Sequence, residues 1–342
     1  MSILRRIAVD VRPLRDSRDF RLLTIGSIVT GLGAQAALVA LPFQVYVITR
    51  SPFLTGLLGL VELGPLVSAS LFGGAVADRF DRRRLLLMTQ LALVAVSAAL
   101  AAVSFGHAPP VWVLFVLAGA LAGASAVERV TRSAIVPNTV APERLRSALS
   151  LTFGLYQLTM VVGPAVGGVL IAALGVKWVY AIDAATCLGM ALAAWAMSPQ
   201  PPVGAEEHEP VVRSIRTGLS FVRRSQALVG SFVIDLCAMT FGMPRALFPV
   251  LSLTVFHAGA EGTGLLLASV SAGATVAALT TGWLEHARWL GRVVLASVAI
   301  WGLAIAGAGI VSSLWPAAAL LAVAGAADSV SAVCRSVINQ TV

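Results

Sequence analysis

Charged residues are scarce in this sequence, and their scarcity excludes an ordinary soluble domain. Asp, Glu, Lys and Arg make up 12% of the 342 residues, about half of the ~25% typical of soluble domains. Lys177 is the single lysine, and the three cysteines, Cys187, Cys237 and Cys334, lie apart in apolar stretches. This spacing argues against a disulfide framework and against a zinc site.

Motifs of the common hydrolases and ATP-driven pumps are also absent. The chain has no His-Glu-x-x-His, no Gly-x-Ser-x-Gly and no phosphate-binding loop. Those motifs hold a zinc ion, a nucleophilic serine and nucleotide phosphates, respectively. We therefore expect neither an enzyme nor an ATP-driven pump, and we expect no cofactor, no metal site and no nucleic-acid partner.

Apolar runs of membrane-spanning length fill the chain instead. Hydrophobic residues make up 58% of the sequence, and the mean hydropathy is +0.90. A spanning helix needs ~20 apolar residues, and lipid leaves backbone groups no partner outside a helix or a closed barrel. We predict an all-α polytopic membrane protein whose ten spans lie near residues 21–48, 53–77, 85–105, 111–133, 147–173, 177–197, 229–254, 262–284, 292–312 and 315–335.

The arginines predict the orientation of these spans. Eighteen arginines fall in segments that share one side of the membrane, whereas only Arg50 and Lys177 fall on the other side. Basic residues accumulate on the cytosolic side of inner membranes. We therefore predict a cell inner-membrane protein with both the N-terminus and the C-terminus in the cytosol.

A long polar segment divides the chain into two bundles. We predict a cytosolic N-terminal segment at 1–20, a six-helix bundle at 21–197, a central loop at 198–228 and a partial four-helix bundle at 229–342. The loop contains a basic stretch with apolar residues at helical spacing, which is typical of an interfacial amphipathic helix. It therefore predicts a helix on the cytosolic membrane surface.

The two bundles also repeat one another weakly. The fourth span ends at residues 132–140 with Arg-Ser, Ile and Thr-Val, and residues 335–342 at the end of the tenth span carry a similar series. Parallel repeats of six helices are typical of one large transporter fold. By this repeat, an eleventh and a twelfth span would follow Val342, so we predict a C-terminally truncated chain with low stability or no transport.

The strongest motif follows the second span, where the sequence has Gly, three residues, Asp-Arg, two residues and Arg-Arg. This pattern resembles the loop between helices two and three of the major facilitator superfamily, which usually has Gly where Asp81 stands. The resemblance implies a conformational latch that holds the outward-facing state. Its members are Gly74, Asp78, Arg79, Arg82 and Arg83.

The fifth span carries a Gly-Pro motif that resembles one found in exporters of this superfamily. Proline interrupts the backbone hydrogen bonds of a helix, and glycines allow close helix packing. The resemblance implies an antiport-type kink at Gly163, Pro164, Gly167 and Gly168. Residues 234–249, together with 19–23 and 180–184, resemble the enterobactin-exporter branch, which implies a proton-driven exporter.

Several ionisable residues lie within the predicted spans. Such residues are costly in lipid and usually face a bundle interior or a transport path. Asp328 can pair with Arg335, two turns away, or with another helix. The candidates for a proton or substrate cavity are Glu62, Asp183, Asp235, Arg245 and Asp328, and those for a cytosolic charge network are Glu128, Arg129 and Arg132.

For the coupling proton we favour Asp235 or Glu62, with Arg245 shaping the potential of the cavity. An apolar environment favours the neutral form of a carboxyl group. A purely structural contact between helices is the alternative for each residue. At the level of the molecule, we predict a monomeric secondary exporter of a siderophore, drug or metabolite; the alternative is a truncated membrane protein that transports nothing.

Overall fold

A computed structural model describes residues 11–77, 80–106, 109–201, 220, 223, 225–242, 245–280 and 289–341. All regular elements among these residues are helices, which confirms the predicted all-α fold class. The chain divides into two compact units, residues 1–208 (unit 1) and residues 209–342 (unit 2). The predicted amphipathic helix of the central loop lies outside the described residues, apart from Ser220 and Arg223.

The described part of unit 1 contains one short helix followed by six long ones that correspond to the first six predicted spans. Their bounds are α1 (Arg12–Asp16), α2 (Arg18–Thr49), α3 (Pro52–Ala77), α4 (Arg82–Phe105), α5 (Val111–Thr139), α6 (Leu145–Leu174) and α7 (Val176–Ala196). A single 3₁₀ turn at Pro142–Arg144 links α5 to α6.

Local sequence signals set several ends of these helices. The Ser17 hydroxyl accepts a hydrogen bond of 3.1 Å from the Phe20 amide and so caps α2. Between α6 and α7 the chain turns at Gly175, whose φ of 87° favours glycine. These caps satisfy backbone groups that a helix end leaves unpaired.

Small residues set the packing of unit 1. Helix α2 packs against α6 and α7, α3 packs against α5, and α4 packs against α5 and α7. Gly119 and Gly123 of α5 lie against Pro65 of α3, where an added Cβ would stand 3.4 Å from the proline ring. Lipid supplies no hydrophobic driving force between helices, so close packing of this kind stabilises the bundle.

Unit 2 contains five described helices. They are α8 (Gln226–Gly242), α9 (Phe248–Thr254), α10 (Gly259–Thr280), α11 (Leu290–Ile310) and α12 (Leu314–Thr341). A 3₁₀ turn at Arg245–Leu247 precedes α9. The seventh predicted span corresponds to α8 and α9 together, and residues 243–244 between them lie outside the described part of the chain.

Helix α12 is central to unit 2 and packs against α8, α10 and α11. Gly273 of α10 and Gly325 of α12 allow their backbones to meet, since an added Cβ on either would overlap a carbonyl oxygen of the other helix. The pairing of α10 and α11 with α12 parallels that of α3 and α4 with α5 in unit 1. This parallel agrees with the weak sequence repeat.

Nine of the described helical segments are long and apolar enough to cross a membrane, and two shorter apolar segments form the seventh span. Side chains such as Leu279 and Ile310 are 82% and 86% exposed. Apolar exposure of this size on a helix is expected where lipid is the solvent. The fold class therefore agrees with a polytopic membrane protein.

Candidate functional site

Unit 2 holds a cluster of charged side chains between α8 and α12. Atom Nη2 of Arg335 lies 2.7 Å from Asp235 Oδ1 and 3.9 Å from Asp328 Oδ1. Atom Nη1 of Arg335 donates a hydrogen bond of 2.7 Å to Ser331 Oγ. Because Asp328, Ser331 and Arg335 are three and four residues apart, they share one face of α12. One arginine therefore links α8 to α12.

The charged groups of this cluster differ in exposure. The Arg335 side chain is 11% exposed, whereas Asp235 and Asp328 keep 43% and 33% of their surface. Arg245, which follows α8, also interacts electrostatically with Asp328. Two acids and two arginines balance one another, which lowers the free-energy cost of charge inside an apolar span. The half-exposed carboxylates can accept a proton or a hydrogen bond from a ligand.

Unit 1 holds a second ionisable group, which is fully buried. Asp183 of α7 is 1% exposed, and its Oδ2 accepts a hydrogen bond of 2.6 Å from Ser97 of α4. Among the described residues, Asp183 Oδ1 has no hydrogen-bond partner. Gly33 of α2 lies against this carboxyl group, because a Cβ at Gly33 would stand 2.8 Å from Oδ1. The group therefore lies where α2, α4 and α7 meet.

Neutral polar side chains form a further contact among the same three helices. Tyr180 donates a hydrogen bond of 2.8 Å to Gln44 Oε1, and Gln44 Nε2 donates one of 2.8 Å to Ser104. Tyr180 and Gln44 are buried. Satisfied buried networks of this kind specify a single helix arrangement. This polar contact and the Asp183 site both hold α7 in place.

The loop motif before α4 bonds to the ends of two helices. Arg82 Nη1 donates to the Ala134 carbonyl of α5 at 2.9 Å. Arg83 Nε donates to the Ala194 carbonyl of α7 at 3.1 Å, and its Nη2 donates to the Trp195 carbonyl. Carbonyl groups near a helix C-terminus carry partial negative charge, so cations stabilise them.

The other predicted latch residues are not placed in the same detail. Gly74 belongs to α3, whereas Asp78 and Arg79 lie outside the described residues. The structure therefore places two of the five predicted latch side chains, Arg82 and Arg83, at helix ends of unit 1.

Asp81, which stands where the superfamily usually has glycine, anchors the beginning of the central loop. One carboxylate oxygen accepts a hydrogen bond of 3.1 Å from the Arg84 amide and so caps α4. The other oxygen accepts one of 3.1 Å from the Gln200 amide. Asp19, at the beginning of α2, accepts one of 3.2 Å from the Ser198 amide. The loop therefore begins fixed to unit 1 at several points.

The Gly-Pro motif of α6 forms a packing face towards α2. All four of its residues are buried, and α6 continues as one helix through Pro164. A Cβ at Gly163 would stand 2.5 Å from Gln35 Cβ, and one at Gly167 would stand 2.7 Å from the backbone of Ala36. These contacts account for the glycines by packing, and the link to antiport stays a prediction.

The remaining predicted site residues lie apart from these clusters. Glu62 is half-buried in the middle of α3. Glu128 and Arg132 form an ion pair of 3.4 Å within α5, and Arg129 beside them is exposed. The structure therefore pairs Glu128 within its own helix.

Comparison with known families decides what kind of protein this arrangement belongs to. The profile of a major facilitator family described as transmembrane secretion effectors matches residues 9–341. The chain belongs to this family. It is therefore a multi-span membrane protein of a transporter family, and the resemblance to the major facilitator superfamily is confirmed.

Individual relatives agree with this assignment. The enterobactin exporter of Salmonella choleraesuis is 28% identical over 89% of this chain and 73% of its own length. That of Citrobacter koseri is 28% identical over 76% of this chain. The match spans 62% of the Citrobacter protein.

Solved structures support the fold. A bacterial homologue of the iron transporter ferroportin, in an inward-facing state, has a TM-score of 0.66 and 14% identity over 100% of this chain and 85% of its own. A bacterial homologue of the human lysosomal transporter Spinster has a TM-score of 0.57 and 16% identity, and the match covers 94% of this chain and 75% of that one. At such identities the likeness shows the fold alone.

The sequence did not indicate two of the contacts that build these sites. The sequence pattern relates Arg335 to Asp328, whereas the shorter contact of Arg335 is to Asp235. Ser97 carries no sequence signal, because a serine in an apolar run has no pattern of its own. The only signal for Arg335 was a basic residue inside an apolar span on the same face as Asp328.

Proposed function

We propose that this chain exports a small molecule in exchange for protons, in preference to the alternative of a truncated membrane protein that transports nothing. The observation that carries the proposal is the cluster around Arg335, where two half-exposed carboxylates lie within an apolar bundle. Ionisable groups in such a place are costly and commonly line transport paths or carry protons. The relatives named enterobactin exporters support export as the direction.

In this proposal Asp235 carries the exchanged proton, with Glu62 as the second candidate, and Arg245 adjusts the local potential. A carboxylate that is bound to a proton has fewer free lone pairs for a hydrogen-bond donor of the substrate. Proton and substrate therefore compete for the same group. Such competition moves the two in opposite directions, as antiport requires.

The finer features of the proposal follow from the sequence and from the relatives. The substrate class is a siderophore or a similarly polar small molecule, because the matching relatives are named for enterobactin. Both termini lie in the cytosol, since the arginines concentrate on that side. The protein acts as a monomer, and the predicted latch from Gly74 to Arg83 and the kink at Gly163–Gly168 control its conformational change.

Inverted membrane vesicles test this function directly. Vesicles that contain the full 342-residue chain are acidified inside, and enterobactin is added as the probe on the exposed cytosolic face. We expect the probe to release protons from the vesicle interior, which is measured as recovery of the fluorescence of a pH-sensitive dye. We expect Asp235→Asn to abolish this recovery.

The matched control is Asp16→Asn. Asp16 also pairs with an arginine, at 2.8 Å from Arg144, but its side chain is half-exposed at the edge of unit 1. This variant should keep the full response. Undiminished recovery in Asp235→Asn vesicles would refute the role of Asp235, and no recovery with the unaltered chain for any siderophore tested would refute proton-coupled siderophore export.

A further inference from the structure

The Arg335 guanidinium is shared unequally between two acids. Its Nη2 atom makes a close ion pair with Asp235 at 2.7 Å, while Asp328 stands at 3.9 Å from the same atom. A charge-assisted hydrogen bond is typically ~2.8 Å long, so a shift of about 1 Å brings Nη2 into full contact with Asp328. Asp235 therefore accepts the close contact, and Asp328 is a second acceptor that lies about 1 Å too far away for one.

Ser331 provides a fixed point for such a shift. It accepts a hydrogen bond of 2.7 Å from Nη1, the other terminal nitrogen of Arg335. A guanidinium is planar and presents its donors in a fixed fork, so it can hold one partner while the other end changes partner. Since Ser331 and Asp328 lie on the helix that carries Arg335, two of its three partners are local.

The surrounding charges leave this exchange between Asp235 and Asp328. The other titratable side chains described on the helices that pack against α12 are Cys237 on α8, Glu261 near the beginning of α10 and Arg292 near the beginning of α11. On α12 itself, Cys334 adjoins Arg335. Arg335 is the larger and Arg245 the smaller of the two positive charges that act on Asp328.

We propose that Arg335 is the coupling residue of this transporter and exchanges Asp235 for Asp328 when a proton binds Asp235. Neutralising Asp235 removes the charge that holds Nη2, which then pairs with the carboxylate on its own helix. An ion pair between α8 and α12 thereby becomes one within α12. Proton binding in this way frees α8 from α12, and the role rests on the proposed proton-coupled function.

The exchange predicts a conditional interaction between Asp328 and Arg335. Double-mutant cycles use Asp235→Asn, Asp328→Asn and Arg335→Gln, with thermal unfolding of the purified full chain in detergent as the readout. We expect a small coupling in Tm between Asp328→Asn and Arg335→Gln when Asp235 is present. We expect a clearly larger coupling between the same two substitutions in the Asp235→Asn background. Equal coupling in both backgrounds would overturn the proposal.

The freed helix gives a second measurement. Spin labels at Leu236→Cys on α8 and Val323→Cys on α12, both exposed positions, report the distance between the helices after the native cysteines are replaced. We expect acid to broaden or lengthen this distance in the parent. Arg335→Lys keeps the charge without the fork and should lose this dependence on acid, whereas Asp16→Asn should retain it.

These outcomes distinguish a failure of the arginine exchange from a failure of proton-coupled export. If acid releases α8 and the cycles show conditional coupling, yet vesicles show no proton exchange, the exporter proposal fails and the arginine exchange stands. If vesicles exchange protons while the distance between α8 and α12 does not change with acid, the arginine exchange fails and the exporter proposal stands.

Discussion

At the scale of single residues, Gly33 determines whether the buried acid of unit 1 fits its site. A Cβ there would stand 2.8 Å from Asp183 Oδ1 and 3.2 Å from the Asp183 backbone. The backbone of α7 cannot move aside as a flexible side chain can. Gly33 is thus required by a specific close approach and not by helix propensity.

We expect Gly33→Ala to destabilise the chain by about 1–3 kcal/mol, the usual range for overpacking. Thermal unfolding in detergent measures the effect as a lower Tm. Gly189→Ala is the control on the same helix as Asp183, because nothing lies within 4 Å of its added Cβ. That control should keep or slightly raise Tm, and equal Tm values for the two variants would contradict the packing argument.

At the scale of elements, the glycines of α6 form the surface on which α2 rests. Gly167→Ala places a methyl group against the Ala36 backbone, and we expect about 1–3 kcal/mol of destabilisation, read as a lower Tm. Gly154→Ala, on the same helix with no neighbour within 4 Å of its added Cβ, is the control. An unchanged Tm for Gly167→Ala would show that α2 and α6 separate without penalty.

Helix ends are the second feature at this scale. Arg82→Gln and Arg83→Gln each remove hydrogen bonds from a charged donor to carbonyls of α5 or α7. Hydrogen bonds to charged groups contribute ~1.5–3 kcal/mol, and we expect the lower part of that range because both side chains are partly exposed.

Thermal unfolding again provides the measurement for these arginines. Arg84→Gln is the matched control, since the Arg84 side chain is exposed and only its backbone amide takes part in the cap of α4. If Arg84→Gln lowers Tm as much as its two neighbours do, general loop charge and not helix-end bonding explains the motif.

At the scale of the whole molecule, the arginine distribution predicts the direction of insertion into the membrane. We expect a cysteine at Arg50 to react with a membrane-impermeant thiol reagent added to intact cells. A cysteine at Arg84 should react only after the cells are opened. Labelling of position 84 in intact cells would show that the orientation is the opposite of the one proposed.

The sequence by itself determined the fold class, nearly all of the spans and the family. These depend on composition, on run length and on motifs of adjacent residues, which lipid makes decisive because every backbone group must bond within its own helix. Residues 74–84 alone carry much of the family resemblance, although Asp78 and Arg79 lie outside the described residues.

Only the tertiary structure decided which charges pair. Asp235 and Arg335 lie far apart in the sequence, and their contact exists because α8 packs beside α12. Likewise Ser97 meets Asp183 only because α4 packs against α7. Long-range pairing depends on how helix faces fit together, and an apolar helix with small residues on several faces does not specify its neighbours through periodicity alone.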